Sequence, residues 1–158
     1  MNRIEISVQE EIAEPKWCLN VEPFLQKVMN ELKFDNEEIS LFFCNDDYIK
    51  ELNKNYRNID SSTDVLSFEN GEKYTDEQGE WFCAGDIVIS LETLPVNAQY
   101  FDENSDSELK RLLVHGILHL NGFDHGEEHL ENGKEPQCEM LILQEKILKK
   151  LKDEKIIK

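Results

Sequence analysis

Arg3-Ile4-Glu5-Ile6-Ser7-Val8 alternates polar and apolar residues, the period of a strand with one buried face. From Val21 to Leu32 the period changes. Val21, Phe24, Leu25, Val28, Met29 and Leu32 recur at helical spacing, and Pro23 fits the first turn. Ile39-Ser40-Leu41-Phe42-Phe43 predicts a second strand, and Asp46 or Asp47 can cap a helix running to about Asn55. Asp64 to Phe68 predicts a short third strand. A polar stretch with Gly71 and Gly79 follows, read as a long hairpin or a surface loop. Gly85-Asp86-Ile87-Val88-Ile89-Ser90 is apolar enough for a central strand. Leu91 to Tyr100 reads as helical, with Pro95 limiting it or sitting in its first turns, and Pro136 to Lys152 as a closing helix. Strands and helices are interspersed without a linker or repeat. The expected fold is α+β: one small domain over residues 1–158, a mixed sheet packed with helices.

The helix predicted from Ser105 to Asn121 carries the first chemical signal. Ser105 and Glu108 have capping-box spacing, and Leu109, Leu112, Leu113, Gly116, Ile117 and Leu120 form a buried stripe. His115 and His119 share a neighbouring face, where an i, i+4 pair can present two imidazoles to one ion. Asn121-Gly122 stops the helix, and the reversal can bring His125 back toward the pair. The expectation is a three-histidine metal site, His115, His119 and His125, on a helix and the turn after it. Three imidazoles with open positions suit one catalytic Zn2+ per chain, although other first-row ions also accept imidazole. Against this stands the reading of surface histidines near a helix end. All four histidines of the chain lie between positions 115 and 129, which favours the metal. His129 reads as solvent-facing beside Glu127 and Glu128. Asp124 can orient a ligand imidazole or serve the turn, and Asp86 can face the site or serve a turn.

Composition restricts the partners. The net charge is −17, which argues against non-specific nucleic-acid binding through phosphates, and no DNA partner is expected. The acidic residues cluster at 69–80, 102–108 and 127–139, as solvated surface does. Lys50, Lys54 and Arg57 can form a basic stripe or a solvated helix face. No apolar run approaches the roughly 20 residues that span a bilayer. The first residues lack the uninterrupted apolar stretch of a secretory signal, so a cytoplasmic location without a membrane is expected. Cys18, Cys44, Cys83 and Cys138 form no C-x-x-C pair and read as small hydrophobes.

The histidines and glycine of H-G-I-L-H-L-N-G-F-D-H match the long zinc-peptidase pattern. Position 116 is Gly, however, where those enzymes carry a general-base Glu. The same segment resembles the signature of the YbeY family, bacterial endoribonucleases and rRNA maturation factors. Leu52-Asn53 through Tyr56-Arg57 and Asp60, Thr63-Asp64-Val65-Leu66-Ser67-Phe68 and Gly85 to Ser90 resemble three further family segments, in the family's order. Ser62 and Glu69 stand where that family usually has proline.

The resemblance implies a mixed four-stranded sheet and a metal on His115, His119 and His125. It implies cleavage of single-stranded RNA in ribosome maturation and quality control, including the 3′ end of 16S rRNA. It also places Arg57 at the family arginine that contacts substrate or stabilises charge. The competing reading of Arg57 is a surface arginine paired with Asp60 or a nearby Glu. With so acidic a chain, delivery to rRNA by ribosome-associated proteins is expected. A zinc peptidase or other metallohydrolase, and a ribosome assembly factor with a structural metal, are the competing functions.

Overall fold

A computed structural model describes residues 2–124 and 138–158. Among them, four strands form one sheet: β1 (Arg3–Val8), β2 (Glu37–Cys44), β3 (Val65–Asp76) and β4 (Gly79–Ser90). Their order is β1-β2-β4-β3, with β1, β2 and β4 parallel and the edge strand β3 antiparallel to β4. The helices are α1 (Val21–Glu31), α2 (Asp46–Arg57), α3 (Thr93–Tyr100), α4 (Ser105–Leu120) and α5 (Glu139–Lys150). The α+β architecture with a mixed sheet is as expected.

Alternation along the strands builds two cores. Ile39, Leu41, Phe43, Ile87 and Ile89 point to one face, where they pack with α1, α3, α4 and α5. Phe42, Leu66, Phe68 and Val88 point to the other and meet Ile49 and Leu52 of α2. α4 lies at the centre of the larger core and is buried nearly all round. The exceptions along its cleft side are Arg111, His115 and His119, at i, i+4 and i+8, which are half-buried. Gly116 fixes how close α4 comes to the sheet: a Cβ there would stand 2.9 Å from Ile87 Cδ1. α5 and the C-terminal segment are tied to α4 by buried polar groups. Lys110 Nζ donates to Leu151 O (3.0 Å) and Glu154 O (2.7 Å), while Asp106 Oδ1 accepts from the Ile156 and Ile157 N–H groups (2.7 and 2.9 Å).

Three local expectations are corrected. The cap of α2 is Asn45, whose Oδ1 accepts from Tyr48 N at 2.9 Å. Asp46 is instead engaged by Ser90 Oγ (2.6 Å) and Thr93 Oγ1 (2.5 Å). The cap of α4 is Asn104, accepting from Ser107 N at 2.8 Å, so the Ser105–Glu108 capping box does not form. The third strand does not end at Phe68: the polar stretch after it takes the long-hairpin reading rather than the surface loop, with β3 and β4 paired on to Asp76 and Gly79. Arg3 holds this hairpin through Asp76 (2.7 Å) and lies over the Trp81 ring at 3.7 Å, which explains order in so polar a sequence. Pro95 sits within the first turn of α3, where its missing N–H costs no helical bond.

The described residues form no disulfide, and burial pushes the thiols of Cys18 and Cys44 up to about 11 and about 12, which keeps them unreactive at neutral pH. Among the described residues, no helix is long and apolar enough to cross a membrane.

Candidate active site

The end of α2, the start of β3, α3 and the half-buried stripe of α4 enclose a cleft of about 950 Å³. Arg57, Arg111, His115 and His119 all line it, with Leu112 and Leu141 as apolar lining. The His115 and His119 rings stand side by side, centroids 4.6 Å apart and planes at 75°. The one-turn spacing on α4 produces this pairing.

His115 is oriented from outside its own helix. Its Nδ1 lies 2.8 Å from Oε1 of Gln144, a fully buried residue of α5. The Gln144 amide nitrogen points to Glu145 Oε2 at 3.4 Å, which sets the amide oxygen toward the ring. An amide oxygen only accepts, so Nδ1 carries the hydrogen and donates, and Nε2 keeps the lone pair that a metal ion requires. Two imidazoles so paired fit a first-row ion. The third expected ligand, His125, lies outside the described residues, as does His129. Among the described residues no group of three or more His, Cys, Asp or Glu side chains gathers at one point. Gly122, with φ of +88°, makes the turn that follows α4.

Arg57 is exposed at the last turn of α2 and reaches the cleft. Its expected alternative partner, Asp60, faces Lys50 instead, at 4.0 Å, and no ion pair joins Arg57 to a carboxylate among the described residues. Neither Lys50 nor Lys54 lines the cleft, so the proposed basic stripe contributes only its arginine. Asn58, left-handed at φ 62°, ends α2. The buried Asn53 holds the following loop, its Nδ2 donating to Ser61 O at 2.9 Å and its carbonyl accepting from Ile59 N at 3.3 Å. Leu52 packs toward the sheet, and Tyr56 stands edge-on to Phe68 of β3. The Leu-Asn-x-x-Tyr-Arg segment is therefore a device that anchors a helix end at the cleft.

Asp64 and Arg111 were not singled out by the sequence. Asp64 Oδ1 accepts from Val65 N (2.8 Å), and Oδ2 accepts from Asn97 Nδ2 (2.8 Å) and lies 3.8 Å from Arg111. Arg111 donates to both carboxylate oxygens of the buried Glu108 and stacks its guanidinium 4.6 Å over Phe101. Its charge is thus already balanced by protein, whereas Arg57 has no ion pair among the described residues. Burial holds the Glu108 carboxyl above the usual range, partly offset by Arg111. Asp86 lies mid-strand and exposed, opposite Phe68 and Ser40, and does not line the cleft.

Comparison with known proteins decides among the enzyme classes this cleft could serve. A family model described as Endoribonuclease YbeY matches residues 3–152. The chain belongs to the YbeY endoribonuclease family. A protein from Treponema denticola described as Endoribonuclease YbeY is 49% identical over 156 residues, covering 98% of this chain and 97% of that one. Another of the same description from Treponema pallidum is 43% identical, covering 94% and 89%. A solution structure of a Thermotoga maritima protein superposes with a TM-score of 0.58 at 26% identity, covering 95% of this chain and 92% of that one.

As a YbeY protein the chain is an endoribonuclease, a hydrolase of phosphodiester bonds in RNA, and the family implies a metal-dependent enzyme. The zinc-peptidase reading loses its support at the same position in sequence and structure: Gly116 supplies no general base, and a Cβ there would crowd Ile87.

Proposed function

We propose that this YbeY protein cleaves single-stranded RNA with one zinc ion held by His115, His119 and His125, and with Arg57 gripping the substrate phosphate. The observation that carries the reading is the convergence on one cleft of two paired imidazoles, one oriented by Gln144, and an arginine with no ion pair among the described residues. When bound, the ion supplies Lewis-acid charge and acidifies water. The residues of the chain do the remainder. Gln144 keeps the His115 proton on Nδ1. Arg57 holds a phosphate in two-pronged fashion and offsets charge that gathers on its oxygens during phosphoryl transfer. Arg111, neutralised by Glu108 and near Asp64, shapes the wall rather than competing for the phosphate.

The biological setting we propose is rRNA maturation, including the 3′ end of 16S rRNA, and ribosome quality control in the cytoplasm. A net charge of −17 disfavours capture of naked RNA, which supports delivery by ribosome-associated proteins. The test is metal content by mass spectrometry for wild type and His119→Ala, with RNA cleavage assayed beside Arg57→Ala. The reading expects about one zinc per wild-type chain, reduced in His119→Ala, and cleavage lost in both variants. Cleavage that survives both would overturn it. A metal-free but folded wild type that takes up no added zinc would overturn the metal assignment.

A further inference from the structure

We infer that Tyr56 is a base-stacking platform: its ring receives one unstacked base of a single-stranded RNA whose adjacent phosphate lies at Arg57. The inference rests on the proposed reading of the cleft and adds to it the group that recognises the base.

Tyr56 is 70% exposed although it belongs to a helix that packs on the sheet. Its hydroxyl makes no hydrogen bond among the described residues, so neither burial nor a polar contact accounts for an aromatic side chain there. The ring is nonetheless held in place. It lies 5.4 Å from Phe68, at 68°, and both residues line the cleft with His115 and His119. A fixed ring with few rotatable bonds offers contact area at little entropic cost. Tyr56 also precedes Arg57 directly, so one helix end presents a flat apolar face and a phosphate-binding fork together. The end of α3 adds a second aromatic pair to the cleft, Tyr100 and Phe101, with ring centroids 5.0 Å apart.

The charge of the chain favours such a platform. Most nucleic-acid affinity comes from phosphate contacts by Lys and Arg, and this cleft offers one uncompensated arginine beside Asp64 and Glu69. Stacking is the term that survives in an acidic protein, because it needs no cation and tolerates any base. A base can reach Tyr56 only when it is not stacked in a helix, so the same feature selects single strands.

The probe is a short single-stranded RNA carrying one 2-aminopurine, read by stopped-flow fluorescence ahead of cleavage. At low salt and with protein in large excess, where the acidic charge of the chain still permits weak binding, wild type should bind and quench the probe. Tyr56→Ala should bind about tenfold more weakly without quenching, with the salt dependence of binding unchanged, while Tyr56→Phe restores both properties. Tyr56→Ala that binds and quenches as wild type does, or Tyr56→Phe that behaves like Tyr56→Ala, overturns the platform alone. Wild type that neither binds nor cleaves single-stranded RNA even at low salt and high protein concentration overturns the reading of the cleft and the platform with it. An abasic scan of the RNA on unaltered protein tests the same point without a variant. One position should lose affinity as Tyr56→Ala does; equal small losses at every position would overturn the inference.

Discussion

Gln144 and His115 are 29 positions apart in the chain, yet the amide oxygen of one lies 2.8 Å from Nδ1 of the other. This contact makes α5, which contributes no proposed ligand, part of the proposed metal centre. It also makes the anchoring of the segment that follows α5 on α4, through Lys110 and Asp106, relevant to chemistry as well as to stability.

Removing the acceptor should loosen the site without unfolding the protein. Gln144→Leu keeps the buried volume but leaves His115 free to change tautomer and rotate. Its zinc affinity should fall about 10- to 100-fold, measured by competition with a chromophoric chelator. Gln144→Glu places a carboxylate at the same ring nitrogen and should bind zinc at least as tightly as wild type. Equal affinities for wild type and Gln144→Leu would remove Gln144 from the metal centre.

Arg57 is exposed and bears no ion pair among the described residues, so its loss should spare the fold and the metal. Arg57→Ala should lower single-turnover cleavage by roughly 10²- to 10³-fold, the usual cost of losing one donor to developing charge. Arg57→Lys should recover only part, because an ammonium cannot make the two-pronged contact. A change in kcat below threefold would reduce Arg57 to a surface cation.

The histidine pair was legible because its meaning is local: two residues one turn apart on a helix meet whatever the rest of the fold does. The strands were legible for the same reason. Gln144 was not, because a glutamine in a helical pattern carries no mark of the residue it will meet across the core. Arg111 could have been found, since it precedes His115 and His119 at four-residue spacing on the same face. The capping box failed by one residue because Asn104, as good a cap as serine, takes the N-cap position, leaving Glu108 to pair with Arg111. The choice between a long hairpin and a surface loop after Phe68 stayed open because the order of that stretch comes from Arg3, far away in sequence.

Gly116 is where the zinc-peptidase comparison becomes a packing question. Gly116→Glu should not create a peptidase. The side chain would be driven into Ile87, costing about 1–3 kcal/mol from overpacking and more from the buried charge. Urea unfolding should show the loss, and casein digestion should remain at background. A stable Gly116→Glu protein would mean that α4 can move off β4 more easily than the contact distances indicate.

Glu108 should leave a mark on the pH dependence of stability. Burial raises its folded pKa above the unfolded value, more than Arg111 lowers it. The native state therefore holds a proton that the unfolded chain releases first. Stability from this group is full below the unfolded value and is lost as pH rises through the folded one. Glu108→Gln cannot titrate. The difference in unfolding free energy between wild type and Glu108→Gln should thus be constant below roughly pH 4 and then move against wild type as pH rises. Removing the guanidinium in an Arg111→Met background should push the carboxyl further up and extend the window to higher pH. A difference that moves in favour of wild type with rising pH would mean that the ion pair outweighs burial and that Glu108 is held below its ordinary value.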